Sequence, residues 1–377
     1  MNKIILFATM MISLSAKPFA WGPEGHKIVA LIAQHYLNDS TKAQIIALNA
    51  AKFNHDDLIT GDSFMGKHEV DDDLKRFFAS SNPQLVLIPN WADGWKFKKG
   101  NAGTKPWHFI DLPVVGTVTE ATFTSLCPNH SCVLDQIQAD ITTLKNTNAD
   151  PEDRIKALFF VVHFVGDIHQ PLHCAEENND QGGNLKKITF FKNNDPKQEL
   201  HALWDGYILE RHQKDQIQFA DELIAAVDEA KRTGWENMDV KSWAVESYSI
   251  AKDSIYPDFK AKNITQSVPD FEQSDESRFL PIVDTQLEKA GVRLAYLLNT
   301  TLGGEATQKP TVTVGHVKVI KATANVYAEA NSQSTILKKV KKDDVLDLVD
   351  SSKIGKYYKV RVGGKEGYIY GTNVKVK

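Results

Sequence analysis

The hydrophobic period changes once along this chain, and that change limits what it can fold into. From Gly22 to about Asn299 apolar residues recur at helical spacing, in Glu24–Leu37, a strongly apolar run from Pro151 to about Gln170, Glu199–Arg211, Phe219–Arg232, Lys241–Ser254 and Thr285–Asn299. From Thr311 onward short Val, Ile and Tyr segments alternate with turns at Asn331-Ser332, Lys342-Asp343 and Gly363-Gly364, which predicts five or six strands. Gly303, Gly304 and Pro310 punctuate the junction, so residues 303–312 read as a linker between a mainly α domain at 21–302 and a small all-β domain at 313–377. A chain of 377 residues exceeds what one hydrophobic core usually organises. Pro23 in a first turn, and Asp150 ahead of Pro151 and Asp153, mark two helix starts. Residues 82–128 are richer in Pro, Gly and Trp and predict long loops draped over the bundle. The run Asp71–Asp73 reads as a solvated patch, because neighbouring carboxylates diverge on a helix.

Residues 1–20 read as a signal peptide, with Lys3 as the charged start, an apolar core from Ile4 to Leu14 and Ala20 at the cleavage site; Pro18 departs from the usual small residue there. The apolar run is too short to span a bilayer, so a soluble, secreted or periplasmic protein with no stable membrane insertion is expected, and a monomer. Export permits a small disulfide loop in CPNHSC between Cys127 and Cys132, leaving Cys174 as a free thiol or a zinc ligand. The net charge is only −4, so no global basic field is available to grip nucleic acid; any such grip must be local.

The strongest chemical feature is FVVHFVGDIHQPLH at 160–173. Four residues separate His163 from Asp167, which puts both on one helix face, and Pro171 ends the helix just before His173. The same spacing recurs in HALWD, between His201 and Asp205. One His/Asp pair is ordinarily a hydrogen bond; two pairs plus His173 in one helical domain point to metal. WADGW places Asp93 between aromatics, KPWHFID supplies His108 and Asp111 on a strand-like or extended segment, and WGPEGH sets Trp21 and His26 at a helix entrance. Of the other histidines, His35, His55, His68, His130, His212 and His316 read as structural, and His169 as a hydrogen-bond partner behind the metal motif.

These segments resemble the trinuclear-zinc single-strand nucleases of the S-one/P-one type, and the resemblance runs from Trp21 to the AGVRLAYLLN segment at 290–299. It implies a phospholipase C/nuclease-type bundle of many helices with long loops, and three zinc ions. Asp93, His108, His163 and Asp167 would hold the first; Trp21, through a free amine and its carbonyl, with His26 and Asp167 the second; His173, His201 and Asp205 the third. By the same resemblance Lys96 and Asn184 contact phosphate, while Phe109 stacks on a base and Asp111 hydrogen-bonds it. The implied activity is hydrolysis of single-stranded DNA and RNA, with nucleotides also as ligands, leaving 5′ phosphates; a 3′-nucleotidase activity is a further implication. Zinc suits this chemistry because it lowers the pKa of bound water to around 7.

Two other readings compete. Zinc phospholipases C also begin with Trp on a helical His/Asp scaffold, but tend to carry Glu where Asp205 stands and lack a WADGWK segment of this form. Residues 317–377 resemble a bacterial SH3-like module, a small barrel, which would make this a surface-binding protein acting through a cell-wall or other surface polymer.

Overall fold

The computed structural model describes residues 21–61, 69–193, 198–212, 215–303, 315–362 and 365–376. The signal peptide, residues 304–312 of the linker, His68 and the Gly363-Gly364 turn lie outside them. The chain divides into two compact units, one carrying residues up to 303 and the other residues 315–376. Among the described residues no helix is long and apolar enough to cross a membrane.

The first unit is a helical bundle whose main members are α1 (Pro23–Tyr36), α2 (Trp91–Phe97), α3 (Val133–Lys145), α4 (Pro151–Asp167), α5 (Gln216–Ala226), α6 (Val240–Ile250) and α7 (Gln273–Leu302). α4 is the axis of the unit. Asp150 caps it by accepting from the Glu152 N–H, and every residue from Ala157 to Asp167 is buried, as befits a helix apolar almost all round. α1 and α3 pack on α4, α7 lies along α1, and α6 covers the turn Pro171–Cys174 that follows α4. The expected Cys127–Cys132 disulfide is present, and Cys174 is a buried free thiol whose Sγ contacts the Ile168 carbonyl at 3.4 Å.

Several local expectations are corrected. Phe219–Arg232 is two helices, because Asp228 turns out of α5 to cap Glu229–Trp235 with its side chain on the Lys231 N–H. The last helix begins at Gln273, not Thr285, and runs through Pro281. A reciprocal cap between Glu272 and Asp275 starts it, and burial of Phe279, Val283 and Leu287 offsets the hydrogen bond that proline removes. Residues 82–128 are not mainly loop: they hold α2, the short helix Glu120–Leu126 and 3₁₀ turns, of which Ala102–His108 carries His108 at its end. His108 therefore closes a helical turn, and the backbone becomes extended at Phe109. Asp71–Asp73 is not a solvated patch. Asp71 is buried and accepts from the Thr60 N–H and hydroxyl and the Gly61 N–H, while Asp73 is buried against Arg76 and Lys27. Only Asp72 faces solvent.

α7 approaches α1 closely at Gly291, where a Cβ would sit 2.4 Å from the Cβ of Ile32. Alanine gains up to about 1 kcal/mol of helix propensity over glycine. Overpacking against an atom so near the backbone costs about 1–3 kcal/mol, and it wins. Gly291→Ala is expected to lower stability by about 1–2 kcal/mol, read from the urea midpoint; an unchanged or higher midpoint would mean that α1 moves aside freely.

The second unit is a seven-stranded antiparallel sheet: β1 (Gly315–Val319), β2 (Thr323–Tyr327), β3 (Ile336–Lys341), β4 (Val345–Ile354), β5 (Tyr357–Val362), β6 (Lys365–Tyr370) and β7 (Val374–Val376), in the order β3-β2-β6-β5-β4-β1-β7. It has more strands than the turn signals implied, because β7 is too short to show alternation. Alternate residues Val317, Val319, Ala324, Val326, Val360, Val362 and Ile369 build its core.

Candidate metal centre and active site

Three groups of buried side chains converge around the end of α4. Asp93, His108 and His163 form one, His26, His163 and Asp167 a second, and His173, His201 and Asp205 a third. The four-residue spacing on α4 brings Asp167 Oδ2 to 3.1 Å from His163 Nε2, and the end of the 3₁₀ turn brings His108 Nδ1 to 2.9 Å from the same oxygen. Asp93, on the first turn of α2, stands 3.6 Å from His163 Nε2 and accepts from Lys96 Nζ at 2.5 Å. His26 stacks on His163 with ring centres 4.0 Å apart, its Nε2 3.3 Å from Asp167 Oδ1. Trp21 is fully buried beside them, and the Gly22 N–H donates to the Asp205 carbonyl at 2.5 Å, which ties the start of α1 to the third group.

The third group tests whether a cation fits. His173 donates from Nδ1 to the His108 carbonyl at 2.8 Å and His201 from Nδ1 to the Gly182 carbonyl at 2.7 Å. Burial holds both imidazoles below their usual pKa, His201 down to about 3, so each is neutral and its Nε2 bears only a lone pair. Those two nitrogens nevertheless face each other at 3.2 Å, with Asp205 Oδ2 3.3 Å from His201 Nε2 and without a hydrogen-bond partner. Two opposed imidazole lone pairs repel at this distance, and with a carboxylate oxygen beside them they form a convergent donor set that a cation satisfies; without one, the carboxyl must take up a proton instead. Burial also pushes the Asp205 carboxyl well above its ordinary range, the response of a carboxylate without a counter-charge. The first two groups are less demanding. Burial lowers the His163 pKa, but Asp167 and Asp93 outweigh it, and a proton on Nε2 can serve there. Even so, both nitrogens of His26, Nε2 of His108 and Oδ1 of Asp167 are buried without hydrogen bonds.

Comparison with known proteins gives this arrangement its lineage. A family model described as S1/P1 Nuclease matches residues 21–303, and one described as Bacterial SH3 domain matches residues 322–375. The chain belongs to the S1/P1 nuclease family. This S1/P1 nuclease is 30% identical over 302 residues to Endonuclease 2 of Arabidopsis thaliana, covering 75% of this chain and 91% of that protein. It is 26% identical over 319 residues to Nuclease S1 of Aspergillus oryzae, covering 79% and 98%, and 26% identical over 304 residues to Nuclease P1 of Penicillium citrinum, covering 76% and 99%. The family consists of hydrolases acting on phosphodiester bonds, with metal-dependent members.

The remaining sequence candidates lie around these groups in the S1/P1 nuclease. Lys96 reaches Asp93, and burial, helped by the Lys96 charge, lowers the His108 pKa to about 3. The Asp93 carboxyl, pushed up by burial, is returned below its ordinary range by Lys96, His163 and His108. Phe109 and Asp111 are half-buried on a segment whose Ile110 N–H donates to the His173 carbonyl, so both border the third group. Burial, with Glu176 and Asp180 nearby, raises Asp111 to about 7. Asn184 is half-buried and donates to the Gln181 carbonyl in the loop whose Gly182 holds His201. His169 does not reach any of the groups: its Nδ1 donates to Val165 and its Nε2 accepts from the buried Arg293 at 2.9 Å.

Five positioning residues are not apparent from residue type alone. Gln170 donates to Asp205 Oδ1 at 2.5 Å, fixing the third group from the turn after α4. Ser247 on α6 donates to the Ile168 carbonyl at 2.6 Å and Gln286 on α7 to the His169 carbonyl at 2.8 Å, so two distant helices hold that turn. Gly182, in the left-handed region at φ +62°, has no room for a Cβ, which would meet the Leu172 carbonyl at 2.5 Å. Gly166 lies between His163 and Asp167, where a Cβ would fall 2.6 Å from His26 Nδ1. Gly166→Ala is therefore expected to raise intrinsic helix propensity yet displace His26, cutting metal content by about one ion per molecule and activity by about 10–100-fold, the scale for disturbed supports of metal ligands. Full metal content by mass spectrometry in that variant would sink the idea.

Proposed function

We propose that this chain is an exported, monomeric, zinc-dependent nuclease that hydrolyses single-stranded DNA and RNA to 5′-phosphate products, with 3′-nucleotides as further substrates. The observation that carries the metal assignment is the opposed Nε2 pair of His173 and His201 beside an unpartnered Asp205 oxygen. Three zinc ions are assigned: one to Asp93, His108, His163 and Asp167, one to Trp21, His26 and Asp167, and one to His173, His201 and Asp205. Neutral histidines and carboxylates in rigid buried positions are the donor set zinc takes. Zinc bound there would supply a hydroxide at neutral pH and positive charge against the transferring phosphoryl group.

The chain's own residues do the rest. Lys96, anchored on Asp93, offers N–H donors to a phosphate oxygen, and Asn184 offers a side-chain amide from the glycine-rich loop. Phe109 presents a ring for an unpaired base to stack on, which a duplex base cannot reach. Asp111, raised to about 7, is partly protonated near neutrality and can both donate to and accept from a base edge.

The test combines zinc analysis of exported protein with turnover on single-stranded DNA, RNA, duplex DNA, 3′-AMP and lecithin. Three zincs and a preference for single strands support the reading. Lecithin cleaved faster than single-stranded DNA would move the assignment to a phospholipase C, and a zinc-free protein inert on nucleic acid would leave a binding role.

A further inference from the structure

The charge of this protein is unevenly divided. Residues 315–377 carry 13 Lys and Arg against 6 Asp and Glu, a surplus of seven positive charges in a chain whose net charge is −4. Residues 1–314 accordingly carry 31 basic against 42 acidic residues. The catalytic unit thus offers a polyanionic strand no long-range attraction, and the small sheet does.

The sheet register shows where this charge is presented. Directly opposed residues share a face, so the pairs Tyr327↔Tyr368, Lys359↔Tyr368 and Tyr357↔Tyr370 put four tyrosines and Lys359 on one face of β2, β6 and β5. It is the face opposite the core, since Val326, Val360 and Ile369 alternate with them and are buried. Three of the rings form a continuous cluster, Tyr327 at 6.3 Å and Tyr370 at 5.1 Å from Tyr357, both edge-on. On the neighbouring β3, Asn325↔Lys339 and Thr323↔Lys341 bring two exposed lysines to the edge of the same face.

We propose that this face of the C-terminal unit binds single-stranded nucleic acid, the bases stacking on Tyr327, Tyr368 and Tyr370, which the buried Tyr357 backs, and the phosphates lying on Lys339, Lys341 and Lys359. Stacking on aromatic rings beside a basic track grips a strand without regard to sequence, which suits a module serving a nuclease. A cell-wall glycan or a neutral peptide has no phosphate repeat to answer the surplus of cations. Tethered to the catalytic unit, the face raises the local concentration of long strands and has no effect on substrates too short to reach it.

The inference is independent of the metal reading, and its test is run without metal. The full-length exported chain is stripped with EDTA and titrated against a labelled oligothymidylate of about thirty nucleotides, enough to cover a site of this kind. Fluorescence anisotropy is read across salt concentrations. Lys339→Glu/Lys341→Glu, at exposed positions, is expected to weaken binding at least tenfold at low salt and to flatten the log–log salt slope by about 1.4, two phosphate contacts' worth. Tyr368→Ala is expected to weaken binding while leaving the slope unchanged. With zinc restored, the lysine variant should keep the wild-type kcat and KM on a dinucleotide and show a raised KM on long single strands. Wild-type affinity in both variants would overturn the proposal, as would sedimentation of the protein with insoluble peptidoglycan but no binding of the oligothymidylate.

Discussion

Asp167→Asn is expected to reduce hydrolysis of single-stranded DNA by at least about a thousandfold, the scale lost with a single group that stabilises transition-state charge, and to release metal. The carboxylate is fully buried on the last turn of α4, with one oxygen toward His26 at 3.3 Å and the other toward His108 at 2.9 Å and His163 at 3.1 Å. Burial alone would raise its pKa, yet His163, His108 and His26 together hold it well below the ordinary carboxylate range, so it is charged throughout the working pH range. Asparagine keeps the shape and removes the charge, placing an N–H₂ where a cation would bind. Asp111→Asn is the control. It alters a half-buried group outside the three clusters and is expected to cost about tenfold, one hydrogen bond's worth. Zinc counting separates the two: Asp111→Asn should retain all its metal and Asp167→Asn should lose up to two ions. Substantial turnover with full metal in Asp167→Asn would remove the assignment of Asp167 to two ions.

The second large effect concerns what precedes Trp21. A zinc-binding amine must be free and neutral, and one extra residue converts it to an amide nitrogen with almost no affinity for the ion. Trp21 is fully buried, and the N–H of Gly22 is fixed to the carbonyl of Asp205, so the backbone here has little freedom to re-aim another donor. Protein beginning at Trp21 should hold three zincs. A form with a leading methionine or tag should hold about two and lose most of its activity, at least about a hundredfold. Mass analysis of the exported amino terminus, set beside zinc content of the tagged form, decides it; three zincs with residues still attached would exclude the amine.

The mainly α unit, the period change and the small all-β unit were legible because they rest on repeated spacing, and the His163/Asp167 and His201/Asp205 pairs because four residues bring side chains to one helix face. What escaped depends on partners distant in sequence. Asp71 is buried because Thr60 and Gly61, in a preceding turn, supply its donors, and no local pattern announces that. Helical spacing is evident only from Thr285, yet packing of α7 along α1 carries the helix back through Pro281 to Gln273. Gly166 and Gly182 carry no chemistry of their own, and their roles follow from His26 and Leu172 lying against them. His169 sits within the metal motif, but one residue's rotation around the helix end is enough to turn it to Arg293.

The pairing of α1 with α7 also has a bearing on the order in which this protein takes shape. Residues 23–36 meet residues 273–302, and the turn carrying His173 is held by Ser247 and Gln286, so the site rests on contacts spanning most of the first unit. Such long-range closure is slow and comes late in folding. A nascent chain can contain all nine candidate ligands, the last of them Asp205, and still lack the helix that braces them. A chain ending before residue 273 is therefore expected to hold no metal stably and to show no turnover although its nine candidate ligands are intact, which zinc analysis of such a truncated form checks.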